Sequence, residues 1–98
     1  MATRTEIIAR LDKKETRFSD EDLSGLDLSK LDFTGCNLHG TNLEKSDLTD
    51  SILDNVLLTY GNLSGVDLTN VKADGIDTYK TDKTDMITTG STIIDKSG

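Results

Sequence analysis

Leucine and phenylalanine recur at every fifth residue through the middle of this chain. Positions 18, 23, 28 and 33 are Phe, Leu, Leu and Phe, and 38, 43, 48, 53, 58, 63 and 68 are all Leu. Leu plus Phe make up only 15 of the 98 residues, so eleven consecutive hits would arise by chance about once in a billion at a fixed register. Neither regular element has this period. Five steps along a straight α-helix leave a drift of about 140°, so the leucines would spiral around it. Five steps along a flat strand put successive leucines on opposite faces. The pattern predicts a chain that turns a corner once per five residues and points each leucine at a common axis. Stacked coils of this kind pair their backbones at a spacing of about 4.8 Å.

The neighbouring columns agree. Asp22, Asp27, Asp32, Asn37, Asn42, Asp47, Asn62 and Asp67 each precede a central Leu or Phe. Asp and Asn side chains bond local backbone and favour turns. One residue earlier come Leu26, Leu31, Cys36, Thr41, Ser46, Ser51, Val56, Gly61, Val66 and Val71. Small or apolar residues suit a second inward position with little room. The two residues after each centre are mostly polar or Gly, as a solvated corner requires.

The run "EDLSG LDLSK LDFTG CNLHG TNLEK SDLTD SILDN VLLTY GNLSG VDLTN" resembles the pentapeptide-repeat family, whose usual unit is Ala, Asp or Asn, Leu and two variable residues. The resemblance covers about residues 18–79. It implies an all-β solenoid, a right-handed quadrilateral β-helix with four repeats per coil, and hence about three coils. Alanine does not take its usual place in the units from 26 to 71.

The remaining segments divide the chain. Residues 1–17 read as an N-terminal capping helix: Thr3 and Glu6 have capping-box spacing, and Ile7, Ile8 and Leu11 share a face suited to covering Phe18, Leu26 and Leu31. Residues 80–98 lose the central leucines but keep Met86, Ile87, Ile93 and Ile94, as in a degenerate C-terminal cap or a flexible tail.

Composition narrows the function. The net charge of −7 is concentrated in residues 18–79, which carry three basic and twelve acidic side chains. An acidic body repels phosphates, so direct nucleic-acid binding is not expected. No apolar run is long enough for a bilayer, and "MATRTEIIARLDKKE" has no signal-like apolar core, so a cytoplasmic protein is expected. Cys36 is the single cysteine and falls in an inward column, where a thiol is inert. His39 is expected at the surface. No phosphate loop or dinucleotide fingerprint is present. The chain is therefore not expected to be an enzyme or to hold a cofactor or metal.

Two features could meet a protein partner. Asp27, Asp47 and Asp67 share one column, twenty residues apart, and form either a solvated acidic stripe or a contact for a basic partner. Ile52 and Leu57 replace Asp or Asn at outward positions, with Tyr60 at the next corner. That apolar spot is either a contact, including one in a homodimer, or is covered internally by the tail isoleucines. The sequence thus points to a non-catalytic protein–protein interaction module. The alternative, carried by the family resemblance, is a mimic of DNA acting on a DNA-binding protein such as DNA gyrase.

Overall fold

A computed structural model describes residues 2–97, so Met1 and Gly98, the outermost positions of the expected cap and tail, lie outside the described residues. The order of elements is one helix, α1 (Arg4–Asp12), and two short strands, β1 (Lys72–Ile76) and β2 (Thr92–Asp95). The strands pair in parallel, Lys72 with Thr92 and Ala73 with Ile93, with an irregularity between Asp74 and Ile76.

The same register of twenty residues governs the rest of the body through isolated parallel bridges. Arg17 pairs with Asn37, Asn37 with Leu57 and Leu57 with Asp77; Asp27 pairs with Asp47, Asp47 with Asp67 and Asp67 with Ile87. Each bridge has bonds in both directions. Phe18 N–H donates to Asn37 C=O at 2.9 Å, and Asn37 N–H donates to Thr16 C=O at 2.8 Å. Most sides remain single bridges because a corner interrupts the chain before an extended run can develop.

The corners have a clear backbone cause. Every fifth residue from Asp20 to Gly90 is left-handed, with φ between 57° and 84°. Across Gly35, Cys36 N–H donates to Phe33 C=O at 2.8 Å, closing a turn whose third residue has the positive φ of type II geometry. Gly, Asn and Asp, which tolerate this region, hold eleven of the fifteen corners, whereas Lys30, Lys45, Tyr60 and Lys80 hold the others.

Each corner redirects the next leucine to the inside. The Leu and Phe column from Phe18 to Leu68 is 0–2 % exposed throughout. The small second column is buried from Cys36 to Ile76. There the polar members find backbone partners in two cases: Thr41 Oγ1 donates to Phe18 C=O at 2.7 Å, and Ser51 Oγ donates to Leu48 C=O. Ser46 Oγ is buried without a partner. Such a group loses water and gains nothing in return.

Helix α1 closes one end of the stack. Thr3 caps it, with Glu6 N–H donating to Thr3 Oγ1 at 3.2 Å. Ile7 is fully buried against the first coil, and Ala2 and Leu11 pack beside it. Arg10 lies over the Phe18 ring, 4.3 Å from its centroid, and Phe18 meets Phe33 edge-to-face. Arg10 also donates to both carboxylate oxygens of Glu21, at 2.7 and 2.6 Å, and to Glu15. The exposed backbone edge of the first coil is satisfied from the helix: Arg4 donates to Asp27 C=O and Arg10 to Arg17 C=O, both at 2.9 Å.

The register continues past residue 79, where the leucine series gives out. Asn62 bridges to Asp82, and Leu63 N–H donates to Asp82 C=O at 2.7 Å. Backbone pairing and left-handed corners do not need leucine, so the geometry outlasts the hydrophobic signal. Residues 80–97 lie over the last leucine-bearing turn, with Met86 and Ile93 packed against its core.

Candidate interaction surfaces

The Asp column is occupied first by its own backbone. Asp27 Oδ1 accepts from Ser29 N–H at 3.0 Å and Ser29 Oγ at 2.6 Å, Asp47 Oδ1 from Thr49 N–H at 2.9 Å, and Asp67 Oδ1 from Thr69 N–H at 2.9 Å. The Asp and Asn of this position thus hold the chain at each corner entrance. Ser29 holds the Asp27 carboxyl below its ordinary range, first through its hydroxyl and then its amide, and Arg4 adds to the effect. Asp27 is exposed and paired with Arg4 at 3.1 Å, whereas Asp47 and Asp67 are half-buried. Beyond Asp67 the column ends in Ile87. The acidic ladder is therefore three carboxylates long, with a cation at one end and an apolar side chain at the other.

Ile52 and Leu57 lie in different columns on either side of the Asn55 corner, and both are half-buried. Ile52 pairs with Asp32 and Lys72, and Leu57 with Asn37 and Asp77, so each is flanked by polar residues along the stack. The tail isoleucines pair elsewhere: Ile87 with Asp67 and Ile94 with Asp74, 47 % and 63 % exposed, and Ile93 with Ala73, packed against the core.

Tyr60 belongs to a different cluster. Its ring meets His39 edge-to-face at 5.7 Å and Tyr79 at 5.9 Å. Lys80 Nζ lies 5.8 Å from the centroid of Tyr79. His39, expected at the surface because it follows a central Leu, is half-buried there, with Nδ1 2.5 Å from Thr59 Oγ1. Tyr60 and Tyr79 are 60 % and 51 % exposed. Among the corners, Tyr60 is the single aromatic residue, held at φ 60°. A bulky side chain pays for that conformation with steric strain. Sequence reasoning at a period of five singled out Tyr60 but did not bring it together with His39 and Tyr79. A period of twenty aligns His39, Thr59 and Tyr79 in one column and Gly40, Tyr60 and Lys80 in the next.

A concavity of about 390 Å³ runs between α1 and the first coil, lined by Ile8, Leu11, Leu31 and Cys36 together with charged side chains. Cys36 is 2 % exposed, and burial pushes its thiol up to about 11, which leaves it protonated and unreactive at neutral pH. No described helix is long and apolar enough to cross a membrane.

A β-helical repeat body with outward polar columns and local Asp and Asn turns defines a solenoid class of protein. The family model for pentapeptide repeats matches residues 14–50 and 36–72, in eight copies. Those segments cover more than half of the sequence, and the chain belongs to the pentapeptide-repeat family. No curated protein matches it.

Proposed function

We propose that this chain is a non-catalytic protein–protein interaction module. Its scaffold is a right-handed quadrilateral β-helix, rigid because every side is tied to the coils beside it. The observation that carries the reading is the aromatic corner. Tyr60 occupies a left-handed position where Gly, Asn or Asp is otherwise usual, yet it is 60 % exposed and stacked between His39 and Tyr79. Strain kept at an exposed aromatic residue is better explained by recognition than by folding. Ile52 and Leu57 extend the apolar character of the neighbouring sides, and Asp27, Asp47 and Asp67 supply an acidic flank for a basic partner. A cytoplasmic setting fits this reading. Its test is capture of host proteins by the parent and by Tyr60→Gly, which keeps the corner and deletes the ring. A partner retained by the parent and lost by Tyr60→Gly supports the module; equal capture by both refutes the role of this corner.

The acidic balance favours a second reading, a DNA-mimicking modulator of a protein such as DNA gyrase. Three stacked carboxylates at about 4.8 Å per coil span about 10 Å, only about three base-pair steps. That shortness favours the first reading. Inhibition of gyrase supercoiling, lost on neutralising Asp27, Asp47 and Asp67, would reverse the preference.

A further inference from the structure

Cations meet aromatic rings at two places in this chain. Phe18 is buried, and the Arg10 over its ring also bonds Glu21 and Glu15, so that pair is satisfied inside the protein. At the second place Lys80 Nζ lies 5.8 Å from the centroid of Tyr79, and among the described residues no carboxylate pairs with it. Tyr60, in the middle of the row from His39 to Tyr79, has no cation over its ring among the described residues. The contacts along this row are edge-to-face, at 66° and 80°, so the rings do not cover one another. Tyr60 and Tyr79 stay 60 % and 51 % exposed. The face of such a ring carries negative charge density and attracts a cation that can reach it.

Charge around the corner selects the same sign. The two sides that meet there carry Asp77, which bridges to Leu57, and Asp82, which bridges to Asn62. One oxygen of each is used locally: Asp77 Oδ1 accepts from Tyr79 N–H at 3.1 Å, and Asp82 Oδ1 from Thr84 N–H at 2.9 Å. Their Oδ2 atoms have no partner among the described residues. Asp20, Asp22 and Glu44 stand at this corner or on these sides in the coils beneath, against Arg17 and Lys80. The corner is aromatic at its crest and anionic on both flanks, which favours a positively charged group.

We infer, on the strength of the module reading above, that this crest takes an arginine side chain from a basic segment of the partner protein. The guanidinium lies on the Tyr60 ring, and its N–H groups reach a flanking carboxylate. Arginine suits the site better than lysine, because its plane covers a ring while its fork donates sideways, and it is less strongly hydrated. Lys80 is a resident cation on the neighbouring ring and competes for the same negative surface. One arginine on an open crest binds weakly, with a dissociation constant of about a millimolar, and a partner gains affinity by presenting several.

Titration of the full chain with the peptide Gly-Arg-Gly-Arg-Gly, followed by NMR of the tyrosine rings and backbone amides, tests this. The ring signals of Tyr60 and Tyr79 should shift and saturate. The peptide with lysine for arginine should bind about threefold more weakly, and the citrulline peptide, neutral but of the same shape, should shift neither ring. Tyr60→Gly keeps the left-handed corner and should weaken the arginine peptide about fivefold or more. Lys80→Asn suits the same backbone without the resident cation and should strengthen binding about twofold. Lys30→Asn, the same change at a corner of a different column, should leave it unchanged. Citrulline binding as well as arginine, shifts centred away from the two rings, or an unchanged affinity in Tyr60→Gly would each overturn the proposal. So would Lys80→Asn that binds no better than Lys30→Asn. A host partner lost on Tyr60→Gly while the peptide shifts nothing would overturn the arginine and leave the module reading intact; peptide binding with no host partner lost would do the reverse.

Discussion

Leu57 and Leu58 are chemically identical neighbours with opposite environments, and they offer a sharp test of the corner geometry. Leu58 is fully buried, while Leu57 is half-buried on an outer side between Asn37 and Asp77. Leu58 also packs closely on the Gly61 backbone, where a Cβ would stand 3.0 Å from its Cδ2, and its N–H is tied to Asp77 C=O at 2.8 Å. A void left at position 58 is therefore walled by hydrogen-bonded backbone that cannot collapse into it. Leu58→Ala should cost about 3–5 kcal/mol, the upper part of the range for such truncations. A domain of this size has a total stability of about 5–15 kcal/mol. Leu57→Ala removes a partly solvated side chain and should cost less than about 1 kcal/mol. Urea unfolding followed by circular dichroism reads both, and at a slope of about 1 kcal/mol/M the midpoint of Leu58→Ala falls by about 3 M or folding is lost. Equal losses at the two positions, or a larger loss at 57, would refute the assignment of inside and outside.

Three further outcomes follow from individual side chains. Ser46→Ala removes a buried hydroxyl without a partner, and its urea midpoint should rise by the equivalent of about 1–2 kcal/mol; a fall would mean that the hydroxyl is satisfied. Leu48→Ala, at 1 % exposure within the same core, should lose about 2–5 kcal/mol, and a melting temperature equal to the parent's would show that position 48 is not inside. For Asp95, burial pushes the carboxyl up, but Ser97 and Thr78 outweigh it and hold the pKa near about 2. Its ordinary value is about 3.9, so this contribution, about 2 kcal/mol, is present above pH about 4 and is lost as the pH falls toward about 2. Asp95→Asn should be less stable than the parent at neutral pH, with the gap closing at pH about 2; a constant gap across that window would contradict the assignment.

The interior was legible because its signal is redundant. Each five-residue unit repeats the same inward Leu or Phe and the same turn-forming Asp or Asn, so the column from Phe18 to Leu68 could be read without coordinates. The capping helix was legible for a local reason, since Thr3, Glu6 and Ile7 carry their own signature. Pairing beyond residue 79 was harder to see. There the leucines give way to Thr78, Lys83 and Thr88, and what persists is the left-handed backbone at Lys80, Asp85 and Gly90. The surface was the least legible, because proximity on the outside follows the coil of twenty residues rather than the unit of five. Tyr60 was visible as an isolated aromatic, but its contacts with His39 and Tyr79 come from coils on either side. Ile52 and Leu57, close in sequence, are separated by the Asn55 corner.

The stacking register itself is most directly tested by oxidative cross-linking of paired cysteines. Asn42 and Asn62 are bridged across neighbouring coils, whereas Asn42 and Asp67 stand in different columns. The double variant Asn42→Cys/Asn62→Cys should form an intramolecular disulfide rapidly under mild oxidation, because adjacent paired strands bring Cα atoms to about 5 Å. The variant Asn42→Cys/Asp67→Cys should stay reduced, and buried Cys36 should remain unreactive in both. Rapid closure of the second pair, or failure of the first in a folded protein, would contradict a coil that returns to the same column every twenty residues.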